Sequence, residues 1–186
     1  MVEVTRLPDA TLITVRCSAA VFDLVGLPGG LAFPREANRF ATVETTKILW
    51  VGPDDWMIVD ERDEAPDLLA ELESAFAGYD AAVIDVSGNR ARFRVSGSDA
   101  RALMNRACAL DLDPPHFAAG HCAGTLVARA QAFVMQIDDA PSYELLVRRS
   151  FAPYLADWLV TAAQGLRFST DAQLFPGSAA TRPHPA

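Results

Sequence analysis

Three times between residues 47 and 162 the chain sets two short strand-like runs ahead of an amphipathic helix, and that rhythm restricts the fold more than any other feature. In the first copy, KILWVGPDDWMIVD (47–60) reads as two strands joined at Gly52-Pro53-Asp54-Asp55. Proline presets φ for such a turn, and aspartate hydrogen-bonds its own backbone there. A helix is predicted from about Pro66 to Ala77, with Leu68, Leu69, Leu72, Ala75 and Phe76 on one face and Gly78 closing it in the left-handed conformation. The second copy opens with AAVIDVS, turns at Gly88-Asn89 and continues as RARFRVS, the composition of a two-residue hairpin turn. Ser98 is the expected N-cap of the next helix and Asp99 sits in its first turn, ahead of Ala100, Leu103, Met104, Ala107 and Cys108 at helical spacing. In the third copy AFVMQID and SYELLVRR flank Asp138-Asp139-Ala140-Pro141. Ser150 is the expected cap of a helix carrying Phe151, Tyr154, Leu155, Trp158, Leu159 and Ala162, with Pro153 tolerated in its first turn.

Strand pairs alternating with helices lack the single-strand rhythm of parallel α/β folds. They predict an α+β protein of repeated hairpin-plus-helix units, an antiparallel sheet with helices on one face. Ahead of the repeats, TLITVRC reads as a strand, SAAVFDLVG as a short helix and LPGGLAFPREANRF as loop. The 186 residues suit a single domain over 1–175, with two ββα-type halves, about 1–80 and 81–175, as a finer division. Residues 176–186 are small, polar and proline-rich and read as a flexible tail.

Charge is where the sequence raises a question. The formal net charge is −8, which argues against nucleic acid or an anionic membrane surface as partner. Yet Arg90, Arg92 and Arg94 occupy alternate positions of one strand, and Arg148 and Arg149 end another. Alternation points Ala91, Phe93 and Val95 into the core and the three arginines away from it. Three cations in a row repel one another unless anions sit opposite. Solvent or acidic residues of neighbouring strands, a partner chain, or an anionic ligand can each supply the compensation, and Arg90, Arg92, Arg94, Arg148 and Arg149 together are a candidate partner interface.

Signatures of chemistry are sparse. No GxGxxG follows a strand, and no GxxxxGK[ST], HExxH or GxSxG is present. His116, His121 and Cys122 lie close in sequence, but a zinc site takes about four ligands. Asp85 and Ser87 could join a histidine in a triad, although both residues are ordinary turn formers. Trp50 and Trp56 bracket the first turn, where core or cross-strand packing competes with a ligand-stacking role. No catalytic, cofactor-binding or metal-binding residue is assigned. Three cysteines without a CxxC pair read as thiols of a reducing compartment. The N-terminus does not read as a signal peptide, and no run approaches the roughly 18 apolar residues of a membrane span. The expectation is a cytoplasmic protein.

Several stretches nevertheless resemble a known family. VIDVSGNRARFRVSGSDARALMNRACALDLDP is similar to the strand and GxDA-helix segment of the folate-binding aminomethyltransferase superfamily. Together with LWVGPDDWMIV, GHCAGTLVARA and YELLVRRSFAPYLADWL, it resembles more narrowly the gamma-subunit family of heterotetrameric bacterial sarcosine oxidases. Gly88 stands where that family carries histidine, and Ser98 where it carries proline. The resemblance implies part of the aminomethyltransferase folate-binding fold and a subunit without catalysis of its own. It would pack mainly against alpha, alongside beta and delta, in a complex that oxidatively demethylates sarcosine to glycine and passes the one-carbon unit to tetrahydrofolate. FAD, FMN, NAD, tetrahydrofolate and zinc are then implied for the companion subunits and none for this chain. A free-standing folate-binding one-carbon protein, or the same role in a complex for another N-methylated amino acid, fits these segments as well.

Overall fold

The computed structural model describes residues 1–62, 66–171 and 174. Eleven strands lie among them: β1 (Val2–Leu7), β2 (Thr11–Cys17), β3 (Phe40–Val43), β4 (Thr46–Gly52), β5 (Asp55–Asp60), β6 (Ala81–Asp85), β7 (Arg90–Ser96), β8 (Cys122–Val127), β9 (Ala130–Asp138), β10 (Ser142–Arg148) and β11 (Phe168–Thr170). The helices are α1 (Ala19–Phe22), α2 (Pro66–Ala75), α3 (Ala100–Ala107) and α4 (Ala152–Ala162). Strands β3-β4-β5-β2-β6, in that order, form an antiparallel five-stranded sheet. Strands β11-β1-β7-β10-β9-β8 form a second sheet, antiparallel except for the parallel β1–β11 pair. The first sheet draws on residues 11–85, the second on 2–7 and 90–170. The expected tail, 176–186, lies outside the described residues, and no described helix is long and apolar enough to cross a membrane.

Period-two alternation sorts every long strand into two faces. On the outer face of the six-stranded sheet, Phe93, Val95, Leu145 and Val147 pack against Leu103, Met104, Leu155 and Leu159 of α3 and α4. On the outer face of the five-stranded sheet, Ile13, Val15, Ile48 and Ile58 meet Leu68, Leu72 and Phe76 of the α2 region. The inner faces meet each other through Leu12, Leu49, Met57 and Val59 on one side and Cys122, Met135 and Leu146 on the other. The helices-on-one-face pattern therefore holds for each sheet, and the remaining faces form a sandwich. At one corner the sheets are stitched by backbone: Phe40 N–H donates to the Gly120 carbonyl at 3.0 Å and Cys122 N–H to Asn38 at 2.8 Å.

Two of the expected hairpins form, β4–β5 and β9–β10. The middle one does not. β6 pairs with β2, whereas β7 pairs with β1 and β10, so the chain crosses from one sheet to the other at a single 3-10 turn, Ser87–Asn89. Neither Gly88 nor Asn89 has positive φ, which the expected two-residue turn requires. The strand that displaces this pairing is β1, whose Val2 and Val4 are fully buried beside Val95. The β1–β2 connection crosses beside it: Val86 N–H donates to Leu12 at 2.8 Å, and Leu12 N–H to Ser87 Oγ at 3.0 Å.

The expected caps also differ. Neither α3 nor α4 begins with a side-chain cap, and Ser150 lies inside a 3-10 turn, Arg149–Phe151. Ser98 Oγ instead accepts from the amino group of Met1 at 2.7 Å. Gly78 does take the left-handed conformation expected of it, φ +84°.

Gly97, in the GSDA segment, has φ +99°, and a Cβ there would collide with the Met1 carbonyl oxygen. That turn lets β7 pass into α3 while β1 lies alongside. Gly97→Ala is expected to cost about 1–3 kcal/mol in urea unfolding, from left-handed strain plus the collision; a loss below about 0.5 kcal/mol would contradict the close approach.

Candidate functional site: a charged cluster between the sheets

The arginine row does leave the sheet opposite Phe93 and Val95, but it faces the other sheet. Arg92, with 4% of its side chain exposed, pairs with Glu61 and lies 3.4 Å from Glu144. Arg94, 39% exposed, pairs with the other oxygen of Glu144. Lys47 at the start of β4, 9% exposed, reaches across to Glu61 at 2.5 Å and Glu144 at 3.5 Å. Arg92 also donates to the Pro8 carbonyl at 3.3 Å, in the crossing between β1 and β2.

Three cations thus share two carboxylates, Lys47 and Glu61 from the five-stranded sheet side and Arg92, Arg94 and Glu144 from the six-stranded sheet. Glu144 is the hub, its side chain 1% exposed, and it sits opposite Arg94 on the adjacent strand. Desolvation pushes the Glu61 carboxyl up, but bonds and charges from Lys47 and Arg92 outweigh it and hold the group below its ordinary range. Next to it the fully buried Asp60 is gripped by Arg62 through Nε and Nη2, the latter at 2.7 Å, and by Thr46. Here too desolvation is overcome by the Arg62 and Thr46 bonds, and the pKa falls.

The five arginines expected to form a partner surface, Arg90, Arg92, Arg94, Arg148 and Arg149, are in different settings in this geometry. Arg92 is buried and compensated inside the chain, and Arg94 is paired with Glu144. Arg149 binds Asp9 at 3.0 Å and the Gly88 carbonyl at 2.9 Å. Arg90 lies with its guanidinium 5.0 Å over the Phe133 ring, directly across from the exposed Arg148. Sequence reasoning missed Lys47, Glu61 and Glu144. The available signal was Glu144 itself, an acid in the middle of the apolar run YELLV.

The other candidates have structural partners. Ser87 Oγ donates to Asp85 Oδ1 at 2.5 Å and Ser87 N–H to the same oxygen at 2.8 Å, an aspartate turn that closes β6. Its side-chain and backbone bonds lower the Asp85 pKa. His116 binds Asp111 at 2.5 Å, while His121 bonds with Arg39 at 3.1 Å. The Cys122 thiol is buried, donates to the Arg39 carbonyl at 3.2 Å, and is pushed up to about 12 by burial. Among the described residues no group of three His, Cys, Asp or Glu side chains is arranged to hold a metal. Trp50 and Trp56 are cross-strand partners. Trp56 stacks on Phe22 at 5.3 Å and donates its indole N–H to Pro34 at 2.9 Å, while Trp50 and Arg35 line a cavity of about 300 Å³ beside it. A second cavity, about 320 Å³, lies where the two crossings meet and is lined by Asp9, Thr11, Arg62, Ser87 and Arg149.

The fold is shared with the aminomethyltransferase T of the glycine cleavage system from Bartonella henselae. That match has TM-score 0.67 at 18% identity, over 91% of this chain and 47% of that one. A chain of the heterotetrameric sarcosine oxidase from Corynebacterium sp. U-96, solved with pyrrole 2-carboxylate, is similar at TM-score 0.79 and 25% identity, over 92% of this chain and 88% of that one. Residues 14–165 match the sarcosine oxidase, gamma subunit family, and the chain belongs to it. Sarcosine oxidase subunit gamma of Corynebacterium sp. (strain P-1) is 28% identical over 164 residues, 87% of this chain and 79% of that protein. The strain U-96 subunit is 29% identical over 134 residues, 72% of this chain and 64% of that protein.

Two outcomes follow from the cluster. Glu144→Gln takes the carboxylate from Arg94, leaves Lys47 and Arg92 with Glu61 alone, and is expected to cost about 3–5 kcal/mol of unfolding free energy; a change under about 1 kcal/mol would contradict the hub. Because the folded-state pKa of Glu61 is lowered, its contribution is full above the ordinary glutamate value of about 4.3 and fades as pH falls through the folded value. Glu61→Gln should therefore flatten the loss of stability below about pH 4, and an unchanged acid slope would count against the pairing.

Proposed function

We propose that this chain works as the gamma subunit of a heterotetrameric sarcosine oxidase, contributing packing and charge to assembly and no reacting group. The observation that carries this reading is the family match over residues 14–165, on a fold that superposes at TM-score 0.79 with a chain of such an oxidase. The interior supports it. Arg92, Arg94, Glu61 and Glu144 are spent on one another between the sheets, Asp85 and Ser87 on a turn, and the Cys122 thiol is held protonated by burial. In this reading sarcosine is oxidatively demethylated to glycine elsewhere in the complex. FAD, FMN, NAD, tetrahydrofolate and zinc belong to alpha, beta and delta, and alpha is the main contact in the cytoplasm.

Co-expression of this chain with the three companion chains is expected to give one assembly containing all four and oxidising sarcosine. Omitting this chain should leave less than about a tenth of that activity in the soluble fraction, since subunits that lack a partner surface are lost by mass action. Full assembly and activity without it would contradict the role. Binding of tetrahydrofolate by the isolated chain at micromolar concentration would favour a free-standing one-carbon protein instead.

A further inference from the structure

Of the five arginines, two have no carboxylate partner among the described residues. Arg90 of β7 and Arg148 of β10 are direct cross-strand partners, so their side chains leave the same face of the sheet. Like charges so placed destabilise a sheet. Among the described residues neither guanidinium has a carboxylate at ion-pairing distance, and Arg90 Nε is buried without an acceptor. Burial first, and the Arg148 charge second, lower the Arg90 pKa.

The surroundings say what kind of group fits. Towards the corner where the sheets are stitched, the inner face of the six-stranded sheet is covered, and Cys122, Met135 and Leu146 are buried. Two and four residues along the same strands, that face emerges from beneath the other sheet: Gly124, Leu126, Gln131 and Arg148 are exposed, and Leu126 reaches 54%. Register places Leu126 beside Gln131, and Gly124 and Leu146 on either side of Phe133. A side chain at Gly124 would meet the Phe133 ring at 3.1 Å, so glycine there keeps the approach to the ring clear.

We propose that this uncovered face is a docking surface for an acidic segment of a companion chain, with carboxylate between Arg90 and Arg148 and an apolar side chain against Phe133 and Leu126. The inference rests on the subunit reading above and locates one contact within it. It narrows the five-arginine surface to the two arginines without a carboxylate partner among the described residues. Apolar anchors beside cations that become desolvated on contact are the pattern of an interface hot spot.

The test uses the complex reconstituted from all four chains. Arg148→Glu is expected to weaken incorporation of this chain at least about tenfold and to reduce its salt dependence, with the isolated chain's unfolding midpoint not lowered, since the substitution replaces a like-charge pair by an opposite-charge one. Arg90→Met, which keeps the stem over Phe133, should act in the same direction. Arg167→Glu, ahead of β11 at the opposite edge of the sheet, should stay within about twofold. If the wild-type chain does not assemble, the subunit reading fails and takes this one with it. If the wild type assembles and Arg148→Glu assembles within about twofold of it, this inference alone is overturned. The same holds if inorganic phosphate stabilises the isolated chain through Arg148 while assembly is indifferent to the substitution, which would make the pair a small-anion site. Should Arg90→Met fail to fold, Arg148→Glu decides by itself.

Discussion

Glu144 sits in the middle of a strand buried on both faces, and its carboxylate has to be compensated there. Taking a carboxylate out of water costs several kcal/mol, repaid only by close cations and good geometry. Arg94 and Arg92 come from the neighbouring strand, and Lys47 comes from the opposite sheet. Sliding one sheet over the other would strand Glu144 with fewer cations and leave Lys47 and Arg92 buried without anions. The cluster therefore specifies how the sheets face each other, which apolar contacts between Leu12, Leu49, Met57 and Met135 alone would leave loosely defined.

That arrangement also limits what chemistry the inner faces can host. A general base or nucleophile needs a group that can change protonation near neutral pH. Two groups between these sheets are driven the other way: Glu61 is held ionised by its cations, and burial holds the Cys122 thiol protonated. Polar residues in this interior serve registry. A subunit whose relatives act inside a larger oxidase is consistent with an interior built in this way.

Much of the architecture was legible in the sequence. Helical spacing in α2, α3 and α4 and the turn residues at 52–55 and 138–141 are local signals, and the structure follows them. The reading failed where the deciding partner was distant. Gly88-Asn89 looks like a hairpin turn, yet β1, some eighty residues upstream, pairs with β7 and turns that site into a crossing. The same distance hid the meaning of the arginine row. Alternation gave its face, but its anions lie 31 residues away at Glu61 and 52 at Glu144, and nothing local joins them. Glu144 in YELLV was the one visible clue, since an acid in an otherwise apolar strand calls for a cation opposite.

The central claim is that the arginine row holds the two sheets to each other, and a double-mutant cycle across the sandwich measures it most directly. Arg92→Met and Glu61→Gln, singly and together, would be compared by urea unfolding above pH 5. A coupling of about 1 kcal/mol or more is expected for a close charge pair with one partner buried and the other part-exposed. Additivity within about 0.3 kcal/mol would show that the contact carries no energy between the sheets and contradict the account.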